Sequence, residues 1–320
     1  MEQKSDHYKL KKLDFKVLSL IFLSSIILFS TLPIVTSQQS NPIKITNSGN
    51  IYYPPINTNL PPPSNNNPSV YFGLSAYPKT PSGSYSTAVI DEVIQVMDLN
   101  NFNIYRMSFN PNVNPDQYVQ YYLDNCNYDL IVDLWHFYPP GTLSDSEWEE
   151  IESSWISFCA RFSQYQNRII CEIANERQDS DLPAQTQEII DAIRSNGYTF
   201  KILMNKWEHS WNQMASINDP LDKFYVGYHY YFNYWSVSSA KREMTNALEL
   251  NLKIINTETG ADTNEYREYD QSEIDELNEF DTWCEENGIG NTIWTRYGLG
   301  NYQTYKDFGL LNPLTDQTLK

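Results

Sequence analysis

The 320-residue sequence is poor in groups that grip metals or redox centres. It has four histidines, and beyond the N-terminal segment only His136, His209 and His229 remain, with no HxH or HExxH pattern. A metal-dependent hydrolase needs clustered imidazoles, so that reading falls far behind, and neither a metal nor a cofactor is expected. Cys126, Cys159, Cys171 and Cys284 form no CxxC, which leaves a zinc ribbon or redox dithiol unsupported. Cys171 lies in an apolar run and reads as a free core thiol. Cys126 and Cys159 can pair only if their helices are neighbours, and four unpaired thiols is the competing reading. Basic charge is scarce too. With 22 Lys+Arg against 40 Asp+Glu the net charge is −18, which repels phosphate backbones and argues against nucleic acid as a partner. What is abundant is aromatic: 14% of residues, 24 of them Tyr and 8 Trp. Such side chains suit flat, uncharged ligands such as sugars, although much of this content must fill a core.

The N-terminus differs from the rest. Lys9, Lys11, Lys12 and Lys16 precede an uncharged run over residues 17–36. A basic flank followed by an apolar stretch predicts a signal peptide over 1–37, cleaved after "VTS", or an N-terminal membrane anchor through 17–36. In both cases the remainder faces outward, so the expected location is extracellular, secreted or anchored to the outer face of the cell membrane. Residues 38–69 are dominated by Pro, Asn and Ser and hold no lasting period, which predicts a disordered linker. The acceptor pattern Asn67-Pro-Ser is disabled by its proline.

From residue 70 to the end, strand-like and helix-like segments alternate. Strands are expected at 69–77, 104–111, 128–137, 168–176, 201–207, 224–232, 252–260 and 291–298. Helices are expected at 86–101, 114–126, 144–165, 182–197, 237–251 and 271–288. Trp148, Ile151, Trp155, Cys159 and Phe162 recur at 3–4 spacing, which makes the third helix amphipathic and its tryptophans core. Eight such strands over roughly 250 residues predict a (β/α)8 TIM barrel over residues 70–320, here a monomer. An open doubly wound sheet is the runner-up. It usually carries a glycine-rich phosphate loop after its first strand, and "SAYPKTPSGSY" has no GxGxxG.

In such a barrel the site lies at the C-terminal strand ends. Those ends are polar or aromatic here: Arg106, Trp135-His136, Asn175-Glu176, Trp207, His229 with Tyr231, Glu258, and Trp294. Glu176 and Glu258, on strands four and seven, would face each other across the mouth. Glycoside hydrolysis needs that pair: one carboxylic acid to protonate the leaving oxygen, one carboxylate to attack the anomeric carbon.

With "EIANE" at 172–176 and "INTETG" at 255–260, the chain resembles clan A glycoside hydrolases, most closely family 5, over about residues 70–310. The resemblance implies a retaining, endo-acting hydrolase of a β-linked glucan or mannan. It implies Glu176 as acid/base and Glu258 as nucleophile. It also implies Asn175 on the sugar 2-hydroxyl, Arg106 and Tyr231 holding Glu258, and Trp294 stacking under the reacting sugar. His136, His229 and Trp207 complete the expected substrate-binding set. Arg177 stands where the family often has proline, and alternation leaves open whether Trp135 or His136 points inward. A non-catalytic carbohydrate-binding barrel would keep the tryptophans without needing both carboxylates.

Overall fold

A computed structural model describes residues 70–80, 83–111, 113–134, 142–231, 234–260 and 271–297, together with four two-residue strands; of residues 271–274, 277 and 295–297 it describes the backbone alone. The chain divides into two compact units, Met1–Ile56 and Asn57–Lys320. In the first, Lys44–Ile45 pairs antiparallel with Ile51–Tyr52. The leader and the linker expected at 1–37 and 38–69 otherwise lie outside the described residues. Among the described residues no helix is long and apolar enough to cross a membrane.

The second unit is a (β/α)8 barrel. Its strands are β1 (Phe72–Tyr77), β2 (Ile104–Ser108), β3 (Asp129–Asp133), β4 (Ile169–Glu172), β5 (Lys201–Asn205), β6 (Phe224–Tyr231), β7 (Ile254–Gly260) and β8 (Gly290–Tyr297). All pair in parallel in chain order, and β8 closes on β1. The helices are α1 (Thr87–Asn100), α2 (Asp116–Asn125), α3 (Asp145–Arg161), α4 (Leu182–Ser195), the single turn α5 (Trp211–Met214), α6 (Val237–Glu249) and α7 (Gln271–Glu286). Leu311–Asn312 and Gln317–Thr318 form a further antiparallel pair.

The strands read as Ile- and Val-rich because both their faces are buried. Tyr71, Ile104, Ile131, Ile170, Leu203 and Ile255 form one cluster inside the barrel. On the outward faces Tyr105, Met107, Leu130, Val132, Cys171, Ile202 and Met204 are all buried. Gly73 is needed on steric grounds, since a Cβ there would stand 1.7 Å from the Ile104 carbonyl oxygen. The helices begin and end at legible signals. Ser86 caps α1 by accepting from Ala88 N–H, Ser144 and Glu147 form a capping box on α3, and Asn101 closes α1 in the left-handed region at φ 55°. Trp148 and Trp155 are core, as expected, and Trp155 Nε1 donates to the Ile173 carbonyl at 3.0 Å. That bond ties α3 to the segment leading into Asn175-Glu176. All four cysteines are buried and free, so Cys126 and Cys159 do not pair.

Candidate active site

The site is built from the inward positions of the strands. Ile104, Ile131 and Ile170 point into the barrel, so Arg106, Asp133 and Glu172, two residues further on, must as well. Arg106 is fully buried. Its Nε donates to Glu172 Oε2 at 2.5 Å and its Nη2 to Glu172 Oε1 at 2.8 Å, a bidentate pair. Nη2 also reaches Asp133 Oδ2 at 3.1 Å and Asn175 Oδ1 at 2.9 Å. Nη1 donates to Ser75 Oγ at 3.1 Å and to Glu258 Oε1 at 2.6 Å. One guanidinium thus engages three carboxylates. Burial would lower the Arg106 pKa, but Glu172, Glu258 and Asp133 outweigh it and hold it well above the ordinary arginine value. Glu172 is pushed up by burial, with Arg106 opposing.

Glu258 is nearly fully buried. Its second oxygen accepts a hydrogen bond from the Tyr231 hydroxyl. Burial and the Glu258 charge push the Tyr231 phenol far up, so it keeps its proton and donates. Glu176 lies beyond the end of β4 in the left-handed region, at φ 45°, and is about one-third exposed. Between the two carboxylates stands His229: Nδ1 is 2.6 Å from Glu176 Oε1, and Nε2 is 3.7 Å from Glu258 Oε1. Burial lowers the His229 pKa, but Glu258 and Glu176 outweigh it and the net shift is upward. One oxygen of each glutamate and a His229 nitrogen all lie within 4.8 Å of one another. A cation could in principle take such donors, yet the Arg106 guanidinium already occupies the Glu258 oxygen nearest His229.

The structure therefore brings together Arg106, Asn175, Glu176, His229, Tyr231 and Glu258. Trp294 adjoins them through Tyr77, their rings 5.8 Å apart and edge-to-face, and Tyr77 senses the Glu258 charge. Trp207 sits at the rim at φ 39°, its ring 6.3 Å from that of His229. His136 and the neighbouring Trp135 lie outside the described residues. Sequence reasoning missed Asp133 and Ser75 as site residues. The signal was present for Asp133: a charge two residues after the inward Ile131 must also point inward. Arg177, the residue in place of the family's proline, is buried and pairs with Asp179 at 2.9 Å, and Asp179 accepts from Leu143 N–H at 2.5 Å. This pins the loop that carries Glu176.

Comparisons with known proteins bear on the family and the fold. Residues 76–299 match the family described as Cellulase (glycosyl hydrolase family 5). No curated protein matches the chain. Several solved structures share the fold. The catalytic domain of a mannanase from Streptomyces sp. SirexAA-E is 15% identical, with a TM-score of 0.56 over 82% of this chain and 83% of that one. Cellulose synthase subunit Z from Clostridioides difficile is 17% identical, with a TM-score of 0.58 over 75% and 99%. The mannotriose complex of a Thermomonospora fusca β-mannanase is 16% identical, with a TM-score of 0.55 over 71% and 78%.

Proposed function

The chain belongs to glycosyl hydrolase family 5 and is a glycoside hydrolase, and on that premise we propose that it is a retaining endo-glycosidase of a β-linked glucan or mannan. One observation carries the retaining assignment: an oxygen of Glu176 and an oxygen of Glu258 lie within 4.8 Å of each other. Retaining enzymes hold their carboxyl groups about 5–5.5 Å apart, whereas inverting enzymes need about 6.5–9.5 Å to admit a water.

The roles follow from the surroundings. Glu258 accepts hydrogen bonds on both oxygens from Arg106 and Tyr231, which serves its charged form, so it is the nucleophile. It attacks the anomeric carbon, and the glycosidic bond breaks as a covalent glycosyl-enzyme forms. Glu176, more exposed and nearer the rim, gives its proton to the leaving oxygen. It then takes a proton from the water that releases the sugar. Asn175, whose Oδ1 is held by Arg106, keeps its amide N–H groups for the sugar. Trp294 is the floor under the reacting ring.

Endo action draws support from the rim. Trp207, Tyr234 and Trp235 are exposed at 37%, 65% and 53% beyond the ends of the neighbouring strands β5 and β6, aromatic faces that offer sugars room outside the reacting subsite. Secretion, with or without a tether through residues 17–36, rests on the leader pattern; N-terminal sequencing of the exported protein should begin at Gln38 if the leader is cleaved. Reducing-sugar release from carboxymethyl-cellulose, glucomannan, mannan and xylan, side by side, tests the activity. Release from a glucan or mannan is expected. Binding without release from any of them would mean a non-catalytic carbohydrate-binding barrel.

A further inference from the structure

Glu258 faces into the barrel, where Arg106, Tyr231 and His229 meet it. Plain alternation along β7 would turn it outward. Ile255 belongs to the interior cluster. Counting in twos from Ile255 puts Thr257 and Thr259 inside and Glu258 on the helix-facing side. The strand register shows how the chain escapes this. Against β6, Tyr228 pairs with Asn256 but His229 pairs with Glu258. Against β8, Asn291 pairs with Asn256 but Ile293 pairs with Thr259. Both neighbours thus find one extra residue in β7, a bulge at Thr257. Bulges re-aim side chains and are rare between parallel strands.

The surroundings of the bulge are unusual in a second, independent way. The outward faces of β2 to β5 are apolar. Beside the bulge they are polar: Asn256, Thr259 and Asn291 are all at most 1% exposed. Asn256 Nδ2 donates to Asn291 Oδ1 at 2.6 Å and to Thr259 Oγ1, and Thr259 Oγ1 donates to Asn291 Oδ1. Asn291 Nδ2 in turn donates to Asp281 on α7. The Asn256–Thr259 bond spans the bulge from one side to the other. On the adjacent strand, Thr292 Oγ1 donates to the Thr257 carbonyl at 2.6 Å, a partner for a backbone group of the extra residue. Buried polar groups are costly unless hydrogen-bonded, and apolar side chains would pack against α7 without that demand.

We infer that Asn256, Thr259, Asn291 and Thr292 are positioning residues that hold the β7 bulge and thereby turn Glu258 toward the substrate. The inference rests on the reading of Glu258 as nucleophile and deepens it. None of the four need touch sugar; each acts through the backbone on either side of Glu258. A displacement of about 1 Å at a reacting group costs on the order of a hundredfold in rate.

The test reads nucleophilic attack alone. Dinitrophenyl 2-deoxy-2-fluoro-cellobioside and its mannobioside counterpart label a nucleophile as its carboxylate bonds to C1 and dinitrophenolate leaves. Mass spectrometry of the labelled wild type locates the ester. Rates are then compared for Thr292→Val and Thr259→Val, near-isosteric changes that each delete one hydroxyl, and for Thr292→Ser, which restores one. Each rate is normalised to the folded fraction by circular dichroism, and oligosaccharide Kd is measured alongside. Labelling slowed about ten- to a hundredfold in both valine variants, with Kd unchanged and Thr292→Ser near wild type, is the expected result. Wild-type labelling rates in both valine variants would overturn the inference and leave the nucleophile reading intact. A wild type labelled elsewhere than Glu258 would overturn that reading and the inference with it.

Discussion

Arg106 Nη1 and Glu258 Oε1 meet at 2.6 Å where neither side chain is open to solvent. The same guanidinium also serves Glu172 and Asp133, so its donors are shared among three buried carboxylates. Lysine has three donors on a point charge and cannot reproduce the planar fork. Arg106→Lys should therefore lower unfolding stability by about 3 kcal/mol or more and reduce kcat/KM by orders of magnitude. Chemical denaturation and steady-state kinetics check both. A variant with wild-type stability would show that the carboxylates do not depend on this cation.

His229 stands between Glu176 and Glu258, 2.6 Å from one and 3.7 Å from the other. Its upward-shifted pKa favours a positive charge beside both. Removing a neighbouring cation disfavours an ionised carboxylate. In His229→Ala the acid limb of the kcat/KM profile should move to higher pH, with a rate loss of roughly ten- to a thousandfold. An unmoved limb would make His229 a packing residue.

Trp294 packs edge-to-face on Tyr77 and is 7% exposed. If it is the sugar floor, Trp294→Ala should cut kcat/KM by orders of magnitude, since loss of a large aromatic contact costs a few kcal/mol. Unchanged kinetics on a polysaccharide would leave it a core residue.

Much of this was legible in the sequence, for stated physical reasons. Short apolar runs such as "RIIC" and "LIV", alternating with longer amphipathic segments, fit strands buried on both faces, and the polar residues that end them mark the open mouth. Arg106, Asn175, Glu176, His229 and Glu258 are found this way. Asp133 follows from the same alternation, but it was hidden by the question of which of its neighbours turns inward. The bulge in β7 was not legible, because it depends on pairing register with two other strands. Alternation applied to "IINTETG" would have pointed Glu258 the wrong way.

One acid of α7 departs from its expected place on the solvated face. The sequence predicts one crowded, solvated acidic face over 262–286, with stability greatest at low pH through mutual repulsion. Residues 262–270 lie outside the described residues. Phe280 and Cys284 form the buried face, as expected, but Asp281 turns inward to Asn291. Burial pushes its carboxyl up to about 7, from an unfolded value of 3.8. A raised carboxylate pKa favours the fold at low pH, and that contribution is lost as pH rises through the folded value. Tm of the wild type should therefore fall more between pH 5 and pH 8 than Tm of Asp281→Asn, which keeps an acceptor for Asn291 without a charge. Equal slopes would remove Asp281 as the cause.

The anomer released first is the decisive observable. Proton NMR during early hydrolysis of a β-linked oligosaccharide resolves the new reducing end before it mutarotates. On the proposed double displacement, which the spacing of a Glu176 and a Glu258 oxygen within 4.8 Å supports, the first product should be the β-anomer. Glu258→Gln should abolish turnover, and Glu176→Ala should keep substrates with good leaving groups and gain rate from azide. An α-anomer appearing first would contradict the nucleophile and acid/base assignments together.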